Sequence, residues 1–130
     1  MDTCANIAAE RHLIGGALLF WADFAPYAGR VREELFSDAE LLVIWRIAVR
    51  GGGDITAVSP ALYPLALELV VEYNGASPAA LIAELEDVLP RRRLQALAAD
   101  IIRALDAGDD VGAIVAYVRS RIEAMEVVNV

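Results

Sequence analysis

The sequence predicts an all-α fold, and three observations point that way. Apolar residues recur at spacings of three, four and seven, no segment alternates convincingly with period two, and cap and stop residues punctuate the chain at helical lengths. At 130 residues the chain is the size of one ordinary domain, long enough to bury a core without metal or disulfide. The expected architecture is one domain, 1–130. A compact multi-helix bundle fills residues 1–89, and an antiparallel helical hairpin covers 90–126.

Asn6 is placed to cap a first helix running to about Trp21, with Ile7, Leu13, Ile14, Ala17, Leu18 and Trp21 on helical spacing. A short second helix or turn is expected from Phe24 to Val31, with Pro26 near its start and Gly29 near its end. In "FSDAELLVIWRIAVRGGG", Ser37 and Glu40 have the spacing of a capping box. The residues that follow, Leu41 to Val49, are apolar on nearly every side, which predicts a central helix buried all round. That run is rich in β-branched residues, so a strand competes; the capping box and a length of roughly three turns favour helix.

Ser59-Pro60 and Ser77-Pro78 each read as an N-cap with proline at the first helical position. Pro64 is expected to break the fourth segment before a helix from Leu65 to Tyr73, which Asn74-Gly75 stops. Three segments follow: Pro78 to Leu89, Pro90 to Ala107, and Asp110 to about Glu126. In the last two, Leu94, Leu97, Ile101 and Leu105 form one apolar stripe, and Val111, Ile114, Val118, Ile122 and Met125 a second, near heptad spacing. A short turn, Gly108-Asp109-Asp110, joins them into the predicted hairpin. Such stripes either close on each other or are shared with a second copy of the chain.

Composition narrows the function. The net charge is −8 and every basic residue is arginine, a balance that argues against nucleic acid as the main partner. The longest apolar run, Leu13 to Ala22, is about half of a membrane span, and the acidic residues before it do not resemble a signal peptide. A soluble, cytoplasmic protein is expected. The single cysteine, Cys4, excludes an intramolecular disulfide and a cysteine-based metal site. The single histidine, His12, would have to serve any histidine-based catalytic arrangement; beside an apolar helical run it is more often structural.

"VRGGGDIT", residues 49–56, raises the question of a phosphate cradle. Such a loop needs a strand before it and a helix N-terminus after it, usually with a lysine or serine on the phosphates. Here the glycines follow a helix, and no Gly-Lys-Ser/Thr occurs. A helix stop explains them. Arg91, Arg92 and Arg93 form the one basic cluster; Glu84, Glu86 and Asp87 just before them suggest local ion pairs, and a polar contact with an acidic partner or a DNA backbone is the alternative. Asp106, Asp109 and Asp110 suit caps and a turn. No catalytic, cofactor-binding or metal-ligating set emerges, although a small enzyme using His12 or a carboxylate pair stays open.

"NIAAERHLIGGALLF", residues 6–20, resembles the opening of the N-terminal domain of DnaB-type replicative helicases, with Asn6, Ile7, Ala9, Glu10, Leu13, Ile14, Gly15, Leu18 and Leu19 in the pattern. "ELFSDAELLVIWRIAVRGGGDITAVSPAL" is similar to that family's next block, with Phe36, Asp38, Ile44, Gly52, Asp54, Ile55 and Val58 in step. The C-terminal "RRRLQALAADIIRALDAGDDVGAIVAYVRSRIEAM" resembles its helical hairpin. The likeness fades between about Tyr63 and Ala83. It implies a non-catalytic assembly and docking module of bacterial or phage DNA replication: a homo-oligomer paired through the hairpin, with primase or replicative helicase as partner, weak or indirect contact with nucleic acid, and no cofactor. The implied self-association surface comprises Leu94, Leu97, Ile101, Leu105, Val111, Ile114, Val118 and Ile122. In the family an ATPase domain follows this module. These residues carry none, so the resemblance leaves open a fragment, a free-standing loader or regulator, and the architecturally related C-terminal helicase-binding domain of primase.

Overall fold

The computed structural model describes residues 6–128. Among them the chain is all-helical, without strands. The α-helices are α1 (Ile7–Leu19), α2 (Trp21–Phe24), α3 (Ala39–Arg50), α4 (Tyr63–Glu72), α5 (Pro78–Asp106) and α6 (Val111–Val128). Short 3₁₀ turns lie at Ala25–Arg30, Glu33–Leu35 and Ile55–Ala57. The chain divides into two compact units, Met1–Val88 and Leu89–Val130.

In the first unit, α1 packs against both α3 and α4. Asn6 caps α1 as expected, its Oδ1 accepting from the Ala9 N–H at 3.0 Å. Leu13, Ile14 and Ala17 of α1 are buried, as are Ile44 and Ala48 of α3, Ala66 and Leu69 of α4, and Leu81, Ile82 and Leu85 of α5. Each large side chain removed from water in this way stabilises the fold by about 1.5–3 kcal/mol. Gly15 lets α1 approach α4 closely: a Cβ there would stand 2.1 Å from the Leu69 carbonyl oxygen.

Phe20 ends α1 earlier than the apolar spacing implies. Its backbone leaves the helical region, and one turn of α2 carries Phe24 back beneath Gly16, where a Cβ would collide with the ring at 2.2 Å. Phe24 also meets Tyr73 edge-on, with ring centroids 6.0 Å apart.

Five sequence expectations need correction. Ser59 does not cap a helix starting at Pro60: α4 starts at Tyr63, and the Ser59 carbonyl accepts from the Leu62 and Tyr63 N–H groups of the turn before it. Ser37 and Glu40 do not make a capping box around α3: Asp38 is the N-cap, its Oδ1 accepting from the Leu41 N–H at 3.0 Å, because Ser37 is held by Glu10 instead. Nor is α3 buried all round. Leu41, Ile44, Trp45 and Ala48 face the core, while Val43, Arg46 and Val49 face solvent. Pro64 does not precede the fourth helix but lies in its first turn, where its missing N–H breaks no hydrogen bond. Finally, Pro90 does not separate two helices. α5 runs unbroken from Pro78 to Asp106 with Pro90 inside it, forgoing one rung of the backbone ladder.

The three glycines after α3 terminate it. Gly52 and Gly53 have positive φ (62° and 79°), and the Gly53 N–H donates to the Ala48 carbonyl at 2.7 Å, the long bond of a Schellman stop. Asp54 then accepts from the Thr56 N–H and hydroxyl, which opens the next turn. Gly53 is buried against α1 and α2: a Cβ would lie 2.5 Å from Trp21 Cβ and 2.8 Å from the Ala17 carbonyl.

Candidate interaction surface

In the second unit, α5 ends in a full Schellman stop. Gly108, with φ of 78°, donates to the Leu105 carbonyl, and the Asp109 N–H donates to that of Ala104. Asp110 then caps α6, its Oδ2 accepting from the Ala113 N–H at 3.0 Å. Across this turn the Tyr117 hydroxyl donates to Asp100 Oδ2 at 3.0 Å, and Arg103 pairs with the same carboxylate. A groove of about 330 Å³ runs between Asp100, Ile101 and Ala104 on one side and Ala113, Ile114 and Tyr117 on the other.

The residues expected to form one self-association surface divide between two environments. Leu97 and Ile114 are buried, and Ile101 and Val118 are half-buried. Leu94, Leu105, Val111 and Ile122 are exposed, Val111 by 65%. The exposed set also includes Ile102, Val115 and Tyr117, which the heptad reading passed over. Their signal was present: Leu94, Ala98, Ile102 and Leu105 follow helical spacing beside the first stripe, as do Val111, Val115 and Ile122 beside the second. A helix with apolar residues on two flanks carries both, and spacing alone does not say which flank stays in water.

Of the arginine cluster, Arg91 is exposed, whereas Arg92 and Arg93 are half-buried and already engaged in interactions. His12 is half-buried, its ring centroid 6.5 Å from that of Tyr73, and its Nδ1 is buried without a hydrogen-bond partner. Beside it, Arg11 forks onto Glu72 through Nε at 2.8 Å and Nη2 at 2.7 Å, which holds the Glu72 carboxyl below its ordinary range. Burial, and then the charge of Asp23, push the Tyr73 hydroxyl up.

The one fully buried charged side chain among the described residues is Glu10. Its Oε1 accepts from the Ser37 N–H at 2.8 Å and its Oε2 from the Ser37 hydroxyl at 2.6 Å, with the Asp38 N–H farther off at 3.4 Å. Glu10 thereby reaches the start of α3, where unpaired N–H groups favour negative charge. Sequence reasoning placed Glu10 in a motif but gave it no role. Its partner lies 27 residues away, beyond any local pattern.

Among the described residues no group of three or more His, Cys, Asp or Glu side chains is placed to hold a metal ion. No helix there is long and apolar enough to cross a membrane. No protein-family model, no curated protein and no solved structure matches the chain.

Proposed function

We propose that this chain is a non-catalytic protein–protein interaction and oligomerisation module of the DNA replication machinery. It resembles the collar domain of a replicative helicase, which docks primase. In this reading a helical bundle, residues 1–89, is followed by an antiparallel helical hairpin, 90–126, that pairs with a second copy in the cytoplasm of a bacterium or phage-infected cell.

The observation that carries the reading is the exposed apolar flank of α5 and α6. Leu94, Ile102, Leu105, Val111, Val115 and Ile122 lie open at helical spacing on two consecutive helices of a unit of modest size. Isolated exposed apolar residues are ordinary, but a contiguous patch marks a partner surface. A standard interface buries about 800 Å² per partner, an area within reach of six large, substantially exposed side chains and their neighbours. The bond between Glu10 and Ser37 lends further support, since it ties together the two blocks of sequence that resemble the helicase domain.

Sedimentation velocity at high micromolar concentration tests the pairing. The wild type is expected to associate, and Ile102→Asp with Val115→Asp is expected to return it to a monomer with unchanged helicity. A strictly monomeric wild type would remove self-association from the reading. Pull-down against purified primase and purified replicative helicase tests the partner: capture of primase fits the collar-like module, while capture of the complete helicase alone identifies a loader or regulator. Capture of neither removes the replication assignment.

A further inference from the structure

The solvent face of α3 borders a cleft of about 290 Å³ in the first unit. Ala28, Val31, Trp45 and Val49 give it an apolar floor and wall, with Val31 and Trp45 buried and Val49 40% exposed. Glu33, Arg46 and Arg50 form its charged rim. Arg46 grips Glu33 as a fork, Nε to Oε2 at 2.6 Å and Nη2 to Oε1 at 2.7 Å.

That fork uses two nitrogens of Arg46, so its Nη1 hydrogens remain for another acceptor. Arg50, one turn along the same helix, is exposed and close enough that its charge also helps hold the Glu33 carboxyl below its ordinary range. Two guanidinium groups against one carboxylate leave the rim net positive, on a chain whose overall charge is −8. A concave apolar surface edged by two arginines has a definite complement: a carboxylate beside a bulky apolar side chain.

We propose that this cleft docks a short acidic segment of a protein partner, with a carboxylate between Arg46 and Arg50 and an apolar side chain against Val31 and Val49. The volume lies at the low end of the range for ligand pockets, about 300–1,000 Å³, and suits one or two side chains rather than a cofactor. A nucleic-acid strand is the poorer fit. Its backbone places a charge at every nucleotide and meets the repulsion of the whole acidic chain, whereas a short peptide brings few charges and an apolar anchor. This site belongs to the first unit and uses no residue of the exposed α5 and α6 flank, so the proposed pairing and this docking site stand or fall separately.

Panning a random-peptide display library on the purified protein tests the proposal. Enriched sequences are expected to set Asp or Glu next to Leu, Ile, Phe or Trp. A fluorescein-labelled peptide of the leading sequence is expected to bind by fluorescence anisotropy, more weakly in high salt. Its affinity should fall about tenfold or more for Arg50→Glu and for Val49→Asp, both exposed positions whose far-UV spectra and melting temperatures should match the wild type. Binding of the peptide should also shift the Trp45 indole N–H resonance. Enrichment of basic sequences or of none, affinity indifferent to both substitutions, or tighter binding of an oligothymidine than of any selected peptide would each overturn it.

Discussion

Ser37 donates two hydrogen bonds to one buried carboxylate, that of Glu10, through its backbone N–H at 2.8 Å and its hydroxyl at 2.6 Å. A carboxylate without contact with water depends on such donors, and the donors in turn lose their acceptor when it is removed. Glu10→Ala should therefore cost more than the packing it deletes, on the order of 2–4 kcal/mol. Ser37→Ala keeps the backbone donor and should cost about 1–2 kcal/mol. Thermal melts by circular dichroism separate the two. Equal melting temperatures for both variants would show that the hydroxyl alone carries the interaction.

The three consecutive glycines should respond unequally to alanine. At Gly52 the nearest obstacle to a Cβ is Trp21 Nε1 at 3.7 Å, so only the left-handed backbone resists, at about 1–2 kcal/mol. At Gly53 the same backbone cost combines with a Cβ wedged 2.5 Å from Trp21, and the loss should exceed that of Gly52→Ala by about 1–3 kcal/mol. Gly75→Ala, with φ of 86° and open space around it, serves as the control for backbone strain alone. Urea unfolding midpoints of the three variants give the comparison. A Gly53→Ala variant no weaker than Gly75→Ala would refute the packing role assigned to Gly53.

Acid should weaken the fold through two surface forks. Glu33 and Glu72 are held below the ordinary carboxylate range, chiefly by hydrogen bonds from Arg46 and Arg11 respectively. A carboxyl depressed in the folded state contributes stability above its unfolded value, about 4.3 for glutamate, and loses it as pH falls through the folded value. Stability should thus be level from neutral pH down to about 5 on this account and decline below that. Arg11→Gln combined with Arg46→Gln should lower stability slightly at pH 7, with the gap from wild type closing in acid. Because both pairs lie at the surface, partly in contact with solvent, added salt should shrink the gap too. Denaturant titrations across the pH range would show whether the curves converge; parallel curves would mean that the forks contribute nothing to the pH dependence.

How far the sequence could be read depended on the range of each interaction. Asn6, Ser77 and Asp110 act as caps because a cap is decided within one turn; Ser77 Oγ, for example, accepts from the Ala80 N–H at 3.2 Å. The glycine stop after α3 is local in the same way. Ser37 misled because a distant group, the Glu10 carboxylate, claimed it, leaving Asp38 to cap α3. Pro90 misled in the other direction: its cost to a helix is real but finite, and α5 tolerates it. On the candidate surface, spacing found the apolar residues of α5 and α6 without saying which flank is buried. Leu97 and Ile114 proved to lie inward, and Ile102 and Val115 outward. The cleft beside α3 was not legible at all, since Val31 and Glu33 come from one segment and Arg46 from another, 13 residues beyond Glu33, and only folding brings them together.

The packing of Trp21 against Gly53 has a spectroscopic consequence. Both tryptophans belong to the first unit, Trp21 over the glycine stop and Trp45 beside Phe36 with ring centroids 5.7 Å apart. The second unit has a single aromatic residue, Tyr117, whose hydroxyl bonds Asp100. Indole emission is therefore a private reporter of the first unit, while far-UV ellipticity sums the helices of both. With no label attached, the two signals recorded on one sample can tell whether the halves of this chain melt as one cooperative body or as two.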